Sequence, residues 1–190
     1  MSRAYTALVH YPVLDRDGRL VTSAVTNLDV HDLARSSRTF GLAGYFVVTP
    51  IGAQRRIVER ILEHWHDGPG ATRVPERGEA LARCEPVASV ALAVAQITAR
   101  DKLAPWLLAT SARAPSGRPP LTYASARERI ARDPRPVLLV FGTGHGLGPE
   151  VLSAVDEVLA PIDGVDGYNH LSVRAAAAIT LDRLFGSLTR

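Results

Sequence analysis

Short apolar runs closed by turn residues alternate along the chain with stretches whose apolar positions recur at helical spacing. That alternation predicts an α/β fold: a mostly parallel sheet flanked by helices on both faces. Thr6–His10 reads as the first strand, ending at Tyr11-Pro12, and 15–18 (Asp-Arg-Asp-Gly) as a turn. A helix is expected over 29–40, capped by Asn27 or Asp29 and closed by Gly41 or Gly44, followed by a strand at Tyr45–Val48. Beyond Pro50, Ile57, Ile61, Leu62 and Trp65 share one face of a helix over 54–65. The glycines and prolines of 67–78 predict a mobile loop. A short strand at 87–90, a helix over 91–100 and a strand at 105–109 come next. A Pro/Gly/Arg loop over 112–121 then leads into a charged helix around 124–132. Pro136–Phe141 is the strongest buried-strand pattern in the chain, with a shorter one at 158–160 and a long helix over 172–185.

A chain of 190 residues with 46% hydrophobic content can bury one good core, so a single domain over 1–190 is expected. No apolar run approaches the roughly 18 residues of a membrane span, and the start of the chain lacks a signal-peptide pattern, so the expected location is the cytoplasm. The single cysteine, Cys84, excludes an intramolecular disulfide and reads as an inert thiol. The formal charge of +3 permits nucleic-acid binding without showing it. Lys102 is the one lysine, a bias that GC-rich coding explains before phosphate binding does, although the arginine fork suits RNA phosphates. The histidines are scattered, and His64 and His66 point to different helix faces, so no metal site is expected.

Two segments carry the chemistry. Phe141, Gly142, Thr143, Gly144, His145, Gly146, Leu147 and Gly148 follow the strongest strand directly and precede Pro149-Glu150, an acceptable helix start. Alternating glycines let a backbone approach a ligand and expose its amides. The spacing fits neither a dinucleotide fingerprint, because Leu147 occupies the third glycine's place, nor a phosphate loop of the Gly-Lys-Ser/Thr type. The second segment, 161–179, has a polar loop bearing glycine, then Asn169-His170-Leu171-Ser172 before a run of small residues. Taken alone, Asn169 or Ser172 reads as a helix cap. G-x-S-x-G is absent, which disfavours a serine hydrolase.

In order and spacing these pieces resemble the SPOUT superfamily of RNA methyltransferases, specifically a small bacterial branch made almost wholly of the knot domain. There, a glycine loop after a strand and a later Pro…Ser-Leu-Asn-Val-Ser-x-Ala type of loop form the cofactor pocket; here 142–148 and 162–178 match them, and 106–113 supplies a third wall. The resemblance implies a deep C-terminal trefoil knot, S-adenosylmethionine as cofactor, an RNA substrate (tRNA or rRNA) and a homodimer with Leu181, Leu184 and Phe185 at its interface. Cofactor contacts are expected from Thr110, Ser111, Phe141, Gly142, Thr143, Gly144, Gly146, Leu147, Ile162, Val165, Gly167, Tyr168, Asn169, His170, Leu171 and Ser172. Gly144→Val and Gly167→Val are expected to weaken cofactor binding without unfolding the chain.

Ribose-methylating members of that family carry Asn-x-Gly/Ala-x-x-x-Arg and, six residues on, Gly. Arg35 and Gly41 keep this spacing, whereas Asp29 stands in the asparagine's place. The resemblance makes Arg35, Asp163 and Asp166 the catalytic candidates, and Asp29, His31, Arg35, Arg38 and Arg113 the substrate-binding ones. A methyl group on a sulfonium is already activated, so such catalysis is mainly orientation and proton removal, with no metal needed. Methylation of a ribose 2′-oxygen or of a base nitrogen is equally compatible with the sequence. The alternative is a non-catalytic S-adenosylmethionine- or RNA-binding module of the same fold.

Overall fold

The computed structural model describes residues 3–114, 117 and 119–187. In chain order the elements are β1 (Ala4–Val9), β2 (Val13–Leu14), β3 (Leu20–Val21), α1 (Asn27–Thr39), β4 (Gly44–Val48), α2 (Gly52–His66), α3 (Pro69–Arg73) and α4 (Pro75–Leu81). They continue with β5 (Cys84–Val87), α5 (Val90–Asp101), β6 (Trp106–Ala109), α6 (Tyr123–Arg132), β7 (Val137–Gly142), α7 (Pro149–Ala154), β8 (Glu157–Val158) and α8 (Val173–Phe185), with a 3-10 turn at Val165–Gly167 before α8. The sheet has the order β5-β4-β1-β7-β6-β8 and is parallel throughout, and β2 and β3 form a separate antiparallel hairpin.

Alternate side chains of each strand feed opposite layers, as the pleat requires. Leu8, Tyr45, Val47, Trp106, Leu108, Leu139 and Phe141 pack under α1, α2, α6 and α8 through Val30, Leu33, Val58, Ile130 and Leu181. Tyr5, Ala7, Val9, Phe46, Val48, Leu138 and Val140 face α5 and α7 through Ala93, Ile97 and Val151. Burial on both faces is why these strands read as continuous apolar runs. Thr6 enters the first layer because its Oγ1 lies 2.9 Å from Ser37 Oγ on α1.

Several expectations shift. The segment expected to be a mobile loop, 67–78, holds α3 and most of α4 instead, because Pro69 and Pro75 occupy first-turn positions, where a missing N–H costs nothing. The strand expected at 87–90 lies at Cys84–Val87, because Ser89 leaves the strand to cap α5, accepting from Leu92 N at 3.2 Å. Cys84 is fully buried and its thiol is pushed upward by desolvation, in keeping with an inert group. The cap of α1 is Thr26 rather than Asn27 or Asp29. Leu181 and Leu184, expected at a dimer interface, are buried in the chain's own core, and Phe185 packs against it. Among the described residues no helix is long and apolar enough to cross a membrane.

Leu139 sits fully buried in the strand between β1 and β6. Leu139→Ala is expected to cost about 2–5 kcal/mol, read as a lowered urea midpoint in equilibrium unfolding.

Candidate functional site

Because β7, β6 and β8 are adjacent and parallel, the loops leaving their carboxyl ends emerge side by side, at strand spacings of about 4.8 Å. Open α/β sheets bind ligands at this edge. The segments after β6 and β8 are then joined directly. Leu159 N donates to Ala109 O (2.9 Å), Leu121 N to Val158 O (2.8 Å) and Ala160 N to Leu121 O (2.8 Å). Further on, Asn169 Nδ2 donates to Ala112 O at 3.0 Å. The loop before α8 is thereby tied to the loop after β6, whose Thr110 donates from both N (3.0 Å) and Oγ1 (3.3 Å) to Val140 O of β7. Ser111 Oγ accepts from Arg113 N at 3.2 Å, and the Arg113 side chain is exposed.

The glycine loop after β7 turns the other way. His145 N donates to Leu14 O (2.8 Å), Gly146 N to Thr143 O (3.1 Å) and Gly148 N to Pro12 O (2.9 Å), while Leu14 N donates to Gly146 O (2.9 Å). The amides of His145 and Gly148, expected to face a ligand, dock the loop on Pro12–Leu14 at the start of the β2–β3 hairpin, and that of Gly146 closes the loop on itself. Gly144 has φ +61°, and a Cβ there would lie 2.7 Å from Leu14 O, so the close approach that demands glycine is to the chain itself. Thr143 is similarly committed: its Oγ1 donates to Val9 O at 3.0 Å and meets Ser23 Oγ, which in turn lies 2.9 Å from His10 Nδ1. Phe141 and Leu147 are core side chains, so only their main chain can meet a cofactor.

The segment from Ile162 to Ser172 is open. Asp163, Asp166, Gly167 and His170 are exposed, Asp166 has φ +55° inside the 3-10 turn, and the Tyr168 and His170 rings lie 6.2 Å apart. Val165, Tyr168 and Leu171 are 81%, 74% and 44% exposed, a large apolar surface for one short loop. Ser172 caps α8, accepting from Ala175 N at 3.2 Å.

On α1 the expected substrate residues divide. Asp29 is buried in a capping box with Thr26 and accepts from Arg174 Nη1 of α8 at 3.3 Å; Arg174 Nε reaches Asp32 at 3.3 Å. Asp29 therefore holds α1 to α8 and is not open to a substrate. Arg38 is clamped by Glu79 of α4. Arg35 is exposed and makes no ion pair among the described residues. His31 is half buried, its ring 5.5 Å from that of Trp65, and its basicity is lowered by burial and then by Arg77. Sequence reasoning passed over Arg174, whose role depends on where α8 lands. It also missed Arg60, which shares a face with Ile57, Ile61 and His64 and could have been found from that spacing.

Residues 3–186 match a family described as SAM-dependent RNA methyltransferase. The chain belongs to that family. Members depend on S-adenosylmethionine, in line with the expected cofactor. A tRNA (guanine-N(1)-)-methyltransferase of Nitratidesulfovibrio vulgaris is 50% identical over 182 residues, covering 96% of this chain and 42% of its own length. This chain thus spans less than half of that relative. An uncharacterised Aquifex aeolicus protein is 36% identical, with 95% of this chain and 87% of that protein covered. Among solved structures, TrmJ from Z. mobilis shares the fold at a TM-score of 0.61 and 17% identity, over all of this chain and 71% of that one. The SpoU methyltransferase AviRb from Streptomyces viridochromogenes, solved with AdoMet, aligns at 0.57 and 15%, over 97% and 57%. The family and the fold neighbours agree with the SPOUT resemblance drawn from the glycine loop and the 162–178 segment.

Gly144→Ala is expected to lower the melting temperature by several degrees, since strain and the Leu14 contact act together, whereas Gly167→Ala, with φ +74° and nothing within 4 Å, costs only the roughly 1–2 kcal/mol of backbone strain. Calorimetric melting of both variants checks the order, and it makes Gly167 rather than Gly144 the glycine to substitute when probing cofactor binding. His10 is buried, its Nε2 has no partner, and desolvation depresses its basicity despite Asp29 nearby. The neutral ring therefore stabilises the fold above the ordinary histidine range, and this contribution is lost as pH falls below about 6.5. Melting temperatures at pH 7.5 and 5.5 should differ less in His10→Asn than in the parent.

Proposed function

We propose that this chain transfers the methyl group of S-adenosylmethionine to RNA, with residues 1–190 acting as one catalytic unit. The observation that carries this reading is the joining of the post-β8 segment to the post-β6 loop, through Leu121 with Val158 and Ala160 and through Asn169 with Ala112. The cofactor is proposed to lie against the main-chain polar groups of these joined segments and the exposed side chains of Val165, Tyr168 and Leu171. That donor set fits an adenosyl group, whose ring stacks on apolar surface while its edge needs amides and carbonyls. Thr110, Ser111, Gly142, Ile162, Gly167, Asn169, His170 and Ser172 would hold it. The cofactor supplies an electrophilic methyl group. The chain's task is to align the attacking oxygen or nitrogen and accept its proton.

Arg35, exposed and without an ion pair among the described residues, is the residue proposed to hold the RNA phosphate beside the reacting nucleotide, with Asp163 or Asp166 as proton acceptor and Arg113 as a further RNA contact. The chain is proposed to thread the post-β8 segment under the post-β6 loop as a trefoil knot, supported by α8 packing on both α1 and α6. A homodimer is proposed to cover the exposed apolar side chains of 165–171. The 50%-identical relative, a tRNA methyltransferase, supports tRNA as the substrate class. Guanine-N1 chemistry stays with that longer protein, because more than half of it lies outside the match.

Isothermal titration with S-adenosylmethionine should show binding, and radiolabelled methyl groups should enter bulk tRNA or rRNA, with nucleoside mass spectrometry naming the atom. Asn169→Ala should weaken cofactor binding about tenfold, the worth of roughly 1.4 kcal/mol. Arg35→Ala should cut methyl transfer about 100-fold with cofactor affinity kept. A folded chain that binds no S-adenosylmethionine, or labels no RNA, would overturn the reading.

A further inference from the structure

Among the described residues several arginines are spent on carboxylates of other segments or neighbouring turns: Arg3 on Asp101, Arg38 on Glu79, Arg100 on Glu85, Arg129 and Arg135 on Asp133, and Arg174 on Asp29 and Asp32. Arg35, Arg60 and Arg77 have no ion pair or hydrogen bond there, yet all three line one open groove of about 660 Å³ between α1, α2 and α4. The single carboxylate in its lining, Asp32, is already bridged to Arg174. The groove thus carries uncompensated positive charge. Its wall is aromatic as well: Arg77 lies over the Trp65 ring at 4.9 Å, and the rings of His31 and His64 meet the same tryptophan edge-on at 5.5 and 5.4 Å. Leu28 and Ile57 on its rim are half exposed.

Guanidinium groups with open hydrogen-bonding forks on an apolar and aromatic floor match a phosphodiester chain and its bases. A second cavity of about 510 Å³ adjoins: Asp32 and Arg35 line both, and the second continues along Ser36 and Thr39 to Ser172 and Ala175 at the start of α8. The track therefore runs from Arg77, past Arg35, to the residue that ends the proposed cofactor loop. A lone anion needs one pocket, whereas a polymer uses a path.

We propose that the groove between α1, α2 and α4 is an RNA docking site, in which Arg60 and Arg77 hold backbone phosphates of the strand whose target nucleotide passes Arg35 into the methyl-transfer pocket. This rests on the RNA reading above and adds Arg60 and Arg77, with Trp65 between them, as affinity determinants remote from the cofactor loops.

The test compares Arg60→Gln/Arg77→Gln with Arg56→Gln/Arg73→Gln, which removes the same charge from exposed arginines that neither line the groove nor form ion pairs. Fluorescence anisotropy with bulk tRNA over a salt series should show at least tenfold weaker binding for the groove variant alone, and a salt slope smaller by roughly 1.4 to 1.8. Titration with S-adenosylmethionine should be unchanged in both, which also reports that the folds are intact. Arg60→Glu, on an exposed helix position, provides a second variant should Arg77 be needed for folding. Equal losses in the groove and control variants would overturn the proposal by reducing the effect to net charge. So would tight binding of a mononucleotide, lost in the groove variant, with tRNA affinity kept. A parent protein that binds tRNA through the groove without methylating it would sink the enzymatic reading and leave the docking site standing.

Discussion

The arrangement depends on one buried strand. Val137–Gly142 runs between β1 and β6, bonded to both, with every side chain from Val137 to Phe141 out of water. No backbone group of such a strand can look to solvent, so both neighbours must be present and in register. Parallel pairing in turn requires each return path to cross the sheet, and these crossings put α6 on one face and α7 on the other. The carboxyl ends of β7, β6 and β8 are left at one edge, where the loops after β6 and β8 meet and the loop after β7 turns onto Pro12–Leu14.

Around that edge, groups that look chemical turn out to hold the framework. The glycine loop folds onto Pro12–Leu14, Thr143 closes on Val9 and Ser23, and Asp29 is used up by the α1 cap and by Arg174. What remains open is the segment before α8, with apolar side chains in solvent and two flanking aspartates, and the basic groove on the α1 and α2 side. Rigidity is concentrated in the β7 loop and accessibility in the β8 loop, a division that suits a site in which one wall positions and the other receives.

Charge follows the same division. Arg3, Arg100 and Arg174 tie elements together through carboxylates, whereas Arg35, Arg60 and Arg77 of the groove have no carboxylate partner among the described residues, and like charges gathered in one place favour an anion between them. The polyanion proposed for the groove would supply the missing counter-charge.

The sequence by itself determined the α/β class and the positions of β1, β4, β6 and β7, because burial on both faces leaves short apolar runs whose length and bounding turn residues mark them as strands. Its glycine pattern correctly marked a close approach at Gly144. Only the tertiary structure decided what approaches, since Leu14 lies 130 positions away in the chain and no local pattern encodes that distance. The same reason hid Arg174, whose partners are on α1, and the groove, whose cations come from three helices, one of them read as a loop because prolines that break helices also begin them. Local propensity fixes which residues form elements. Which side chains are left without partners is settled when the elements pack.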